Sequence, residues 1–249
     1  MISNLVIIPT YNEKDNIELL IEDIFDLEVN FHILIVDDNS PDKTYELVEN
    51  MQKAYPDKLF IIKRKGKLGL GTAYITGFKW ALEKKYDNIF EMDADFSHNP
   101  NDLVYLYKAL AEENADLAIG SRYISGVNVV NWPIGRVLLS YFASAYVRFI
   151  TRMPIKDTTA GFKGYKNHVL ESIELDKIRL VGYAFQIEMK FLTWKMGYKI
   201  IEVPIIFTDR KRGSSKMSGG IFNEAVWGVL KMKIKSWFFH YKKKEIKPA

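Results

Sequence analysis

The sequence predicts an α/β fold in which a Rossmann-like, mostly parallel sheet is flanked by helices, with amphipathic interfacial helices in the C-terminal half. Short apolar runs recur through the first half, each separated from the next by a stretch long enough for a helix. The chain has 249 residues, of which 48% are hydrophobic, so it can bury one complete α/β core. In the second half, apolar and aromatic residues recur at helical spacing.

Apolar runs predict the strands of the first half, and the segments between them predict helices. The predicted strands cover residues 5–8, 33–36, 59–62, 89–92 and 117–119. Helices are predicted over 16–25, from Pro41 to before Pro56, from Gly71 or Thr72, and from Asn101. This alternation is typical of a parallel sheet.

Beyond about Arg122 the pattern changes. We predict, in order, an aromatic-rich helix over 133–153, a Gly-punctuated loop at 157–166, a helix near 184–196, a strand at 199–207 and a C-terminal helix. The domain prediction is a catalytic domain over 1–220, which includes the helix 133–153, followed by an amphipathic basic helix and tail over 221–249.

The positive charge of the chain is local. The net charge is +4, but residues 231–249 carry seven lysines and one glutamate, so the rest of the chain is slightly acidic. This distribution argues against a nucleic-acid partner and favours a tail that contacts a membrane surface. The absence of cysteine excludes disulfides and Cys-zinc sites. The N-terminus has no basic region or cleavage site, so we expect no signal peptide.

Asp93-Ala94-Asp95 follows the predicted strand 89–92 directly. It places two carboxylates at the carboxyl end of a strand, where open α/β sheets bind ligands. Carboxylates this close repel each other unless a cation lies between them, and Mg²⁺ is commonly held by one or two carboxylates plus substrate phosphates. The triplet therefore predicts a Mg²⁺ or Mn²⁺ site that also binds a diphosphate. A solvated Asp-rich turn is the alternative interpretation.

Further polar motifs follow the first two predicted strands. They are Pro9-Thr10-Tyr11-Asn12-Glu13 and Val36-Asp37-Asp38-Asn39-Ser40-Pro41-Asp42. These two loops should lie side by side at the carboxyl edge of the sheet and bind a ligand there. Gly66-x-x-Gly69-x-Gly71 lacks the order of a dinucleotide-binding fingerprint, so we interpret it as a loop that approaches the ligand closely.

The ordered motifs resemble those of the family 2 glycosyltransferases with the GT-A fold, and most closely those of the dolichol-phosphate (polyprenol-phosphate) mannose synthases. Besides the motifs above, the resemblance includes Lys67-Leu68-Gly69-Leu70-Gly71-Thr72-Ala73, Gly120-Ser121-Arg122-Tyr123, Asp157-Thr158-Thr159-Ala160-Gly161-Phe162, Gln186-Ile187-Glu188 and Arg210-x-x-Gly213-x-Ser215-Lys216. The motifs extend in order from residue 5 to about residue 220.

The resemblance implies an inverting transfer of mannose from GDP-mannose to a polyprenyl (dolichyl-type) phosphate, with Mg²⁺ or Mn²⁺ as cofactor. It implies a location at the cytoplasmic face of a membrane. Because no stretch of the sequence qualifies as a transmembrane helix, we expect peripheral attachment, which allows a membrane-anchoring partner subunit. The alternatives are the same reaction with another donor, such as UDP-glucose, and a non-catalytic subunit that binds a nucleotide sugar or a carrier lipid.

The resemblance also assigns site residues. Asp95 and Arg122 are the catalytic residues, and Asp93, Asp95 and Ser97 hold the metal. The donor is bound by Pro9, Tyr11, Glu13, Val36, Asp38, Gly69, Asp93, Ala94, Asp95, Arg210 and Lys216. The acceptor phosphate is bound by Arg122, Arg136 and Ser140. Alternatives remain at several of these positions: Asp37 caps a turn, Arg122 forms a surface salt bridge, and Ser97 reaches the metal only through water.

Two segments of the second half predict membrane contact. Arg136, Ser140, Ser144, Arg148 and Arg152 recur every four residues through an apolar segment too short and interrupted to span a bilayer. The C-terminal segment places Trp227, Leu230, Ile234, Trp237, Phe238 and Tyr241 on one helical face bordered by lysines. Such a helix lies in a membrane interface or packs on the core, and the sequence favours the interface.

Overall fold

The computed structural model describes residues 2–178, 180, 182–209, 220–239 and 241–243. Within these residues the strands are β1 (Asn4–Thr10), β2 (His32–Asp37), β3 (Leu59–Lys63), β4 (Asn88–Glu91), β5 (Leu117–Ser121), β6 (Val129–Val130), β7 (Lys163–Lys166), β8 (Ile200–Pro204) and β9 (Phe207–Thr208). The helices are α1 (Lys14–Phe25), α2 (Thr44–Met51), α3 (Leu70–Glu83), α4 (Asp102–Ala111), α5 (Ile134–Thr151), α6 (Asn167–Ser172), α7 (Gly182–Lys195) and α8 (Gly220–Lys235).

The main sheet has the strand order β3-β2-β1-β4-β7-β5-β8 and is parallel except for β7. From β1 the chain extends the sheet on one side through β2 and β3, and then crosses to the other side of β1 to form β4. This change of direction is a topological switch point, and it opens a crevice beyond the carboxyl ends of β1 and β4. The predicted ligand loops begin at these ends.

The alternation of side chains along β1 creates a core on each face of the sheet. Leu5 and Ile7 pack in the cluster that includes α3 and α7, whereas Val6 and Ile8 pack against α1 and α4. Gly77 lets α3 approach β1 closely, because a Cβ atom there would lie 2.6 Å from Ile7. The predicted strands and helices of the first half are present, with bounds that differ by a few residues.

Strand β7 corrects the prediction of a loop over 157–166. It lies antiparallel between β4 and β5, and Lys163 is fully buried within it. Two lysines and a glycine among its four residues hide the apolar pattern of a strand. Gly164 is needed for the fit, because a Cβ atom there would lie 2.6 Å from Phe90. The predicted strand 199–207 is also interrupted, because β8 ends at Pro204 and β9 pairs with β6 in a separate two-stranded sheet.

Helices α5 and α8 pack against each other and expose large apolar side chains. On α5 these include Ile134, Phe142 and Phe149. None of the helices in the described part of the chain combines the length and the apolar character that a membrane span requires.

The predicted apolar face of the C-terminal helix is largely exposed. Trp227, Ile234, Trp237 and Phe238 are between 51% and 77% exposed, whereas the buried side of α8 is formed by other residues, such as Val229. Core packing is therefore the wrong interpretation for these four side chains. Helix α8 ends earlier than predicted, so Trp237 and Phe238 lie in the turn that follows it.

Candidate active site

The loops after β1 and β2 are held together by side-chain hydrogen bonds. The Asn12 amide N–H donates to Ser40 Oγ at 3.0 Å, and the Glu13 amide N–H donates to Thr44 Oγ1 at 3.1 Å. Glu13 itself is buried and accepts from Asn16 Nδ2 at 3.0 Å. These contacts bring the predicted donor residues after β1 next to Asp38, where Pro9 pairs with Val36 in the sheet register.

Asp37 caps the turn after β2, as the alternative interpretation proposed. Its buried carboxylate accepts hydrogen bonds from Thr10 Oγ1 at 2.7 Å and from both the amide N–H and the hydroxyl of Ser40, at 2.9 and 2.6 Å. The side chain is thus engaged in shaping the loop. Asp38, its neighbour, is the carboxylate at the ligand edge.

Asp38 forms a buried ion pair with Arg64, which sequence reasoning missed. Arg64 Nε lies 2.9 Å from Asp38 Oδ1, and Arg64 Nη2 donates to Thr72 Oγ1 at 2.9 Å. Burial raises the pKa of the Asp38 carboxyl more than Arg64 lowers it, and burial lowers the pKa of Arg64. The position after β3, beside the Asp37-Asp38 loop, was the signal that could have identified Arg64.

The Nε–Oδ1 contact between Arg64 and Asp38 lacks the geometry of a hydrogen bond. Asp38 Oδ1 and Arg64 Nε are therefore joined by an ion pair without a hydrogen bond, and Arg64 Nη1 is a buried nitrogen without a hydrogen-bond partner among the described residues. Buried polar atoms normally have partners, so this acceptor and these donors are suited to a polar ligand.

Gly69 forms the entrance to α3. Its φ of 98° lies outside the range that other residues adopt easily, and it precedes the first helical residue, Leu70. Nearby, Lys67 Nζ lies 5.0 Å from the centre of the Tyr11 ring. Tyr11, Lys67 and Gly69 therefore border the same edge as Asp38 and Arg64.

The acidic triplet occupies the carboxyl end of β4. Asp95 Oδ1 accepts from the Ser97 amide N–H at 3.1 Å and from the Ser97 hydroxyl. Asp93 Oδ1 lies 3.5 Å from the hydroxyl of the fully buried Tyr74. Asp95 and the Ala94 between the two acids are also buried. Tyr74 thus holds the Asp93 carboxylate, and Ser97 holds the Asp95 carboxylate.

His98 orders this loop. It is buried, stacks on Phe162 with the ring centres 4.8 Å apart, and places Nδ1 3.5 Å from the Asp93 amide nitrogen. Burial lowers the pKa of His98 to about 4, so the ring is neutral at physiological pH and can accept this hydrogen bond. His98 therefore helps to hold the backbone of this loop in place.

The donor set of the triplet fits a hard divalent cation. Asp93, Asp95 and Ser97 offer only oxygen atoms, which are the ligands that Mg²⁺ and Mn²⁺ prefer. In the structure the Ser97 hydroxyl donates a hydrogen bond to Asp95 and so orients that carboxylate. Direct metal ligation by Ser97 stays a prediction.

Arg122 forms a buried pair with Asp157. Its Nε and Nη2 donate to the two carboxylate oxygens, each at 2.7 Å, and Nη2 also donates to Thr159 Oγ1 at 2.8 Å. The two side chains are 7% and 0% exposed, so the surface salt bridge considered for Arg122 is the wrong description. Burial acts to raise the pKa of the Asp157 carboxyl, but the Arg122 guanidinium outweighs it and the pKa is lowered.

Trp132 brings Arg136 next to Arg122. The guanidinium carbons of Arg136 and Arg122 lie 4.1 and 5.5 Å from the centre of its ring. Arg136 Nη1 also contacts Asp209 Oδ1 at 2.7 Å in a pair that is about one-third exposed. Ser140, one turn further along α5, interacts with Tyr123. The predicted acceptor residues therefore converge, around a tryptophan that sequence reasoning did not identify.

The remaining members of the four-residue stripe diverge from this site. Each step of four residues turns by about 40° around a helix with 3.6 residues per turn. Ser144 is consequently buried, and Arg152 lies beyond the end of α5 with its guanidinium carbon 5.3 Å from the Phe149 ring centre. Within the described part of the chain, Arg136 and Ser140 are the stripe residues with contacts to Trp132 and Tyr123 at this site.

The small sheet β6–β9 links the acidic triplet to the arginines. The Thr208 amide N–H donates to the Ser97 carbonyl at 3.1 Å, and the Asp209 amide N–H donates to the Val130 carbonyl at 3.0 Å. The loop of the acidic triplet and the segment before Trp132 are therefore both hydrogen-bonded to β9 or to the residue that follows it. Arg210 and Lys216, predicted to contact the donor, lie outside the described residues.

Known proteins are similar to this chain in sequence and in fold. The family described as glycosyl transferase family 2 matches residues 5–174. A polyprenol monophosphomannose synthase from Mycolicibacterium smegmatis is 45% identical over 230 residues, which cover 90% of this chain and 86% of that protein. An undecaprenyl-phosphate mannosyltransferase from Micrococcus luteus is 44% identical over 230 residues, which cover 90% of this chain and 93% of that protein.

Among solved structures, a glucosyl-3-phosphoglycerate synthase from Mycobacterium tuberculosis, in complex with Mn²⁺, UDP and glucosyl-3-phosphoglycerate, superimposes with a TM-score of 0.68. The match covers 92% of this chain and 79% of that chain at 17% identity. At this identity the likeness concerns the fold, and it confirms the GT-A prediction.

Proposed function

This chain belongs to glycosyl transferase family 2, and on that basis we propose that it transfers mannose from GDP-mannose to a polyprenyl phosphate. The enzyme is a glycosyltransferase. The observation that carries the acceptor proposal is the convergence of Arg122 and Arg136 on Trp132, beside the loop of the acidic triplet. Two cationic side chains at one point suit an anionic acceptor group. The names of the two relatives support a polyprenyl phosphate in this role.

The acceptor chemistry explains why a dedicated catalytic base is not needed. A phosphate monoester has a second pKa of about 6 and is already ionised at neutral pH. Arg122 and Arg136 bind and orient its oxygen atoms, and Ser140 adds a hydroxyl donor. Attack on the anomeric carbon from the face opposite the diphosphate inverts the configuration and gives a β-linked product from an α-linked donor.

Asp93 and Asp95 hold the divalent cation in this proposal, and Ser97 keeps the Asp95 carboxylate in place. When bound, Mg²⁺ or Mn²⁺ neutralises the charge that develops on the departing diphosphate. The Tyr74 hydroxyl donates to the Asp93 carboxylate, and the Asp93 amide N–H donates to His98 Nδ1, so both contacts limit the movement of Asp93. These residues are thus arranged before the substrate binds, as electrostatic catalysis requires.

We propose that the Asp38–Arg64 pair recognises the base of the donor nucleotide by hydrogen bonding. Asp38 offers acceptor oxygens and Arg64 offers donors at the same buried point. Guanine presents two neighbouring N–H donors and a carbonyl oxygen, whereas uracil has a single ring N–H donor between two carbonyl oxygens. A carboxylate with two oxygens can therefore accept more hydrogen bonds from guanine than from uracil. This complementarity favours GDP-mannose over UDP-glucose.

The exposed apolar side chains of α5 and α8 support peripheral attachment to a membrane. Helices with aromatic and aliphatic side chains on one side and lysines at its border lie in the membrane interface. On α8, Trp227 and Ile234 are exposed together with Lys231. We propose that this side faces the cytoplasmic surface of the bilayer that holds the lipid acceptor. A membrane-anchoring partner subunit is compatible with this orientation.

The function is tested by incubating the purified protein with GDP-mannose or UDP-glucose, with and without a polyprenyl phosphate and Mn²⁺. We expect GDP release that requires both the acceptor and the metal. Acceptor-dependent UDP release would instead support a different donor. Binding of either donor without turnover would identify a non-catalytic subunit and contradict the proposal.

A further inference from the structure

A buried lysine on α7 fastens the loop that holds Arg122. Lys190 is fully buried, and its Nζ donates hydrogen bonds to the carbonyl oxygens of Thr158 at 3.0 Å and of Ala160 at 2.6 Å. The two carbonyls flank Thr159. The side chain therefore links α7 to the loop after Met153, and solvent does not reach it.

The same loop supplies both side chains that orient Arg122. Asp157 accepts from Nε and Nη2 of the guanidinium, and Thr159 accepts from Nη2. Lys190 contacts the backbone directly before and after Thr159. A displacement of this backbone would therefore move both partners of Arg122 together.

The electrostatic cost of Lys190 is considerable. Taking an ammonium group out of water is unfavourable, and the carbonyl dipoles compensate only part of the cost. Burial accordingly lowers the pKa of Lys190 well below its ordinary value. A methionine would fill a similar volume without this cost, but it would leave the Thr158 and Ala160 carbonyls without their donor. The specific consequence of the lysine is the fixed position of the loop.

We propose that Lys190 is a positioning residue for the acceptor phosphate, which acts through the loop 157–160 to hold the Arg122 guanidinium in its binding orientation. The inference rests on the proposed function, because it takes Arg122 as an acceptor ligand. It assigns Lys190 no contact with the substrate. We therefore expect Lys190 to affect the acceptor and not the donor, because Asp38, Asp93 and Asp95 are held by other contacts.

The first test compares Lys190→Met with Lys195→Met, a matched change at the end of the same helix. Kinetics are measured with a short-chain prenyl phosphate that stays in solution. We expect the acceptor KM of Lys190→Met to rise roughly three- to tenfold, as for a lost hydrogen-bonded orientation. The donor KM and the kcat at saturating acceptor should stay within about twofold, and Lys195→Met should match the wild type.

A second variant keeps the inference testable if Lys190→Met does not fold. Thr159→Val removes one hydrogen bond to Arg122 from the same loop and should raise the acceptor KM in the same direction. If both changes act through one loop, the double variant should show less than the sum of the two effects. Calorimetric binding of the prenyl phosphate to each folded protein measures the same losses without turnover.

The outcomes separate the inference from the proposed function. An unchanged acceptor KM in folded Lys190→Met or Thr159→Val, equal losses for donor and acceptor, or fully additive effects would overturn the role of Lys190. A wild-type protein that transfers no sugar to a prenyl phosphate contradicts the proposed function instead. In that case, calorimetry with the prenyl phosphate still decides whether Lys190 supports anion binding at Arg122.

Discussion

Single charged residues at this site are held by partners before any substrate binds. Asp157 is the clearest case, because it is fully buried and its carboxylate is matched by the two nitrogen donors of Arg122. Removing one member of such a pair leaves the other as an uncompensated buried charge. The stability of the acceptor side and its function are therefore tied to the same two residues.

Asp157→Asn should destabilise the protein by roughly 3–5 kcal/mol, because Arg122 loses its buried counter-charge. The lowered pKa of Asp157 means that the folded state prefers the carboxylate, so this stability is fully present above the ordinary carboxyl pKa of about 3.9. Unfolding free energies of both proteins should differ by a constant amount between about pH 7 and 5 and converge below about pH 4. A difference that grows on acidification would show that the sign is wrong.

Asp95→Asn should abolish turnover, because the amide keeps the shape but loses the charge proposed to hold the cation. Metal-dependent donor binding should fall by at least about a hundredfold, which is the effect expected when a metal ligand set is disrupted. Asp176→Asn is the control, since that carboxylate is 84% exposed. Calorimetry with GDP and Mn²⁺ measures the binding. A near wild-type rate for Asp95→Asn would remove the metal assignment.

The motifs that contain Asp38, Asp93 and Asp95 were predictable because they follow apolar runs, and the carboxyl ends of parallel strands share one edge. The sequence did not predict Arg64, Trp132 or Lys190. Trp132 is close to Arg136 along the chain but no pattern marks it, whereas Arg64 and Lys190 contact residues that are distant along the chain. Lys190, for example, reaches carbonyls 30 and 32 residues away. Composition and spacing carry no signal for contacts that only the packing of α7 creates.

At the scale of elements, α5 connects the proposed acceptor site with the exposed apolar surface. Arg136 lies near its first turn beside Trp132, whereas Phe142 and Phe149 are exposed further along. A hydrocarbon chain attached to a phosphate at Arg136 could follow these side chains. The helix thus suits an acceptor with a charged head and an apolar tail.

Arg136→Ala should raise the KM for the acceptor about tenfold or more, because a charge-assisted contact to phosphate is lost, with little change in donor binding. Arg152→Ala is the matched control, since Arg152 follows the same helix but lies over Phe149 instead of Trp132. A short soluble prenyl phosphate excludes effects of membrane binding. Equal weakening of donor and acceptor would point to a general disturbance of the fold.

There are clear physical reasons why the sequence did not predict β6, β7 and β9. β7 contains a buried lysine, and because of this charged residue its sequence does not look like that of an interior strand. The lysine is tolerated there because Glu91 compensates its charge at 2.9 Å. β6 and β9 are two residues long and exist because they pair with each other. In contrast, the long amphipathic helices α1, α3 and α5 were predictable, since local periodicity dominates there.

At the scale of the whole molecule, the crevice at the sheet edge and the exposed side of α5 and α8 belong to one functional arrangement. In the proposed function, the loops after β1, β2 and β4 bind the donor, and Trp132 with its two arginines binds the acceptor. Gly228 allows α8 to pack closely, because a Cβ atom there would lie 2.9 Å from Leu180. The apolar side chains beyond this contact are left exposed.

The triple variant Trp227→Ser, Trp237→Ser and Phe238→Ser should reduce binding to vesicles by more than about tenfold, because three exposed aromatic side chains no longer enter the interface. Donor binding should not change. Leu19→Ser on α1 is the control, since this leucine is 51% exposed on a different helix. Sedimentation with vesicles provides the measurement, and unchanged binding of the triple variant would contradict the membrane orientation.

The most direct test of the account is a crystal structure of the protein soaked with GDP and Mn²⁺. We predict that Mn²⁺ lies between the Asp93 and Asp95 carboxylates and the diphosphate, and that the guanine contacts Asp38 and Arg64. Nucleotide bound elsewhere, with no metal at the acidic triplet, would contradict the central claim.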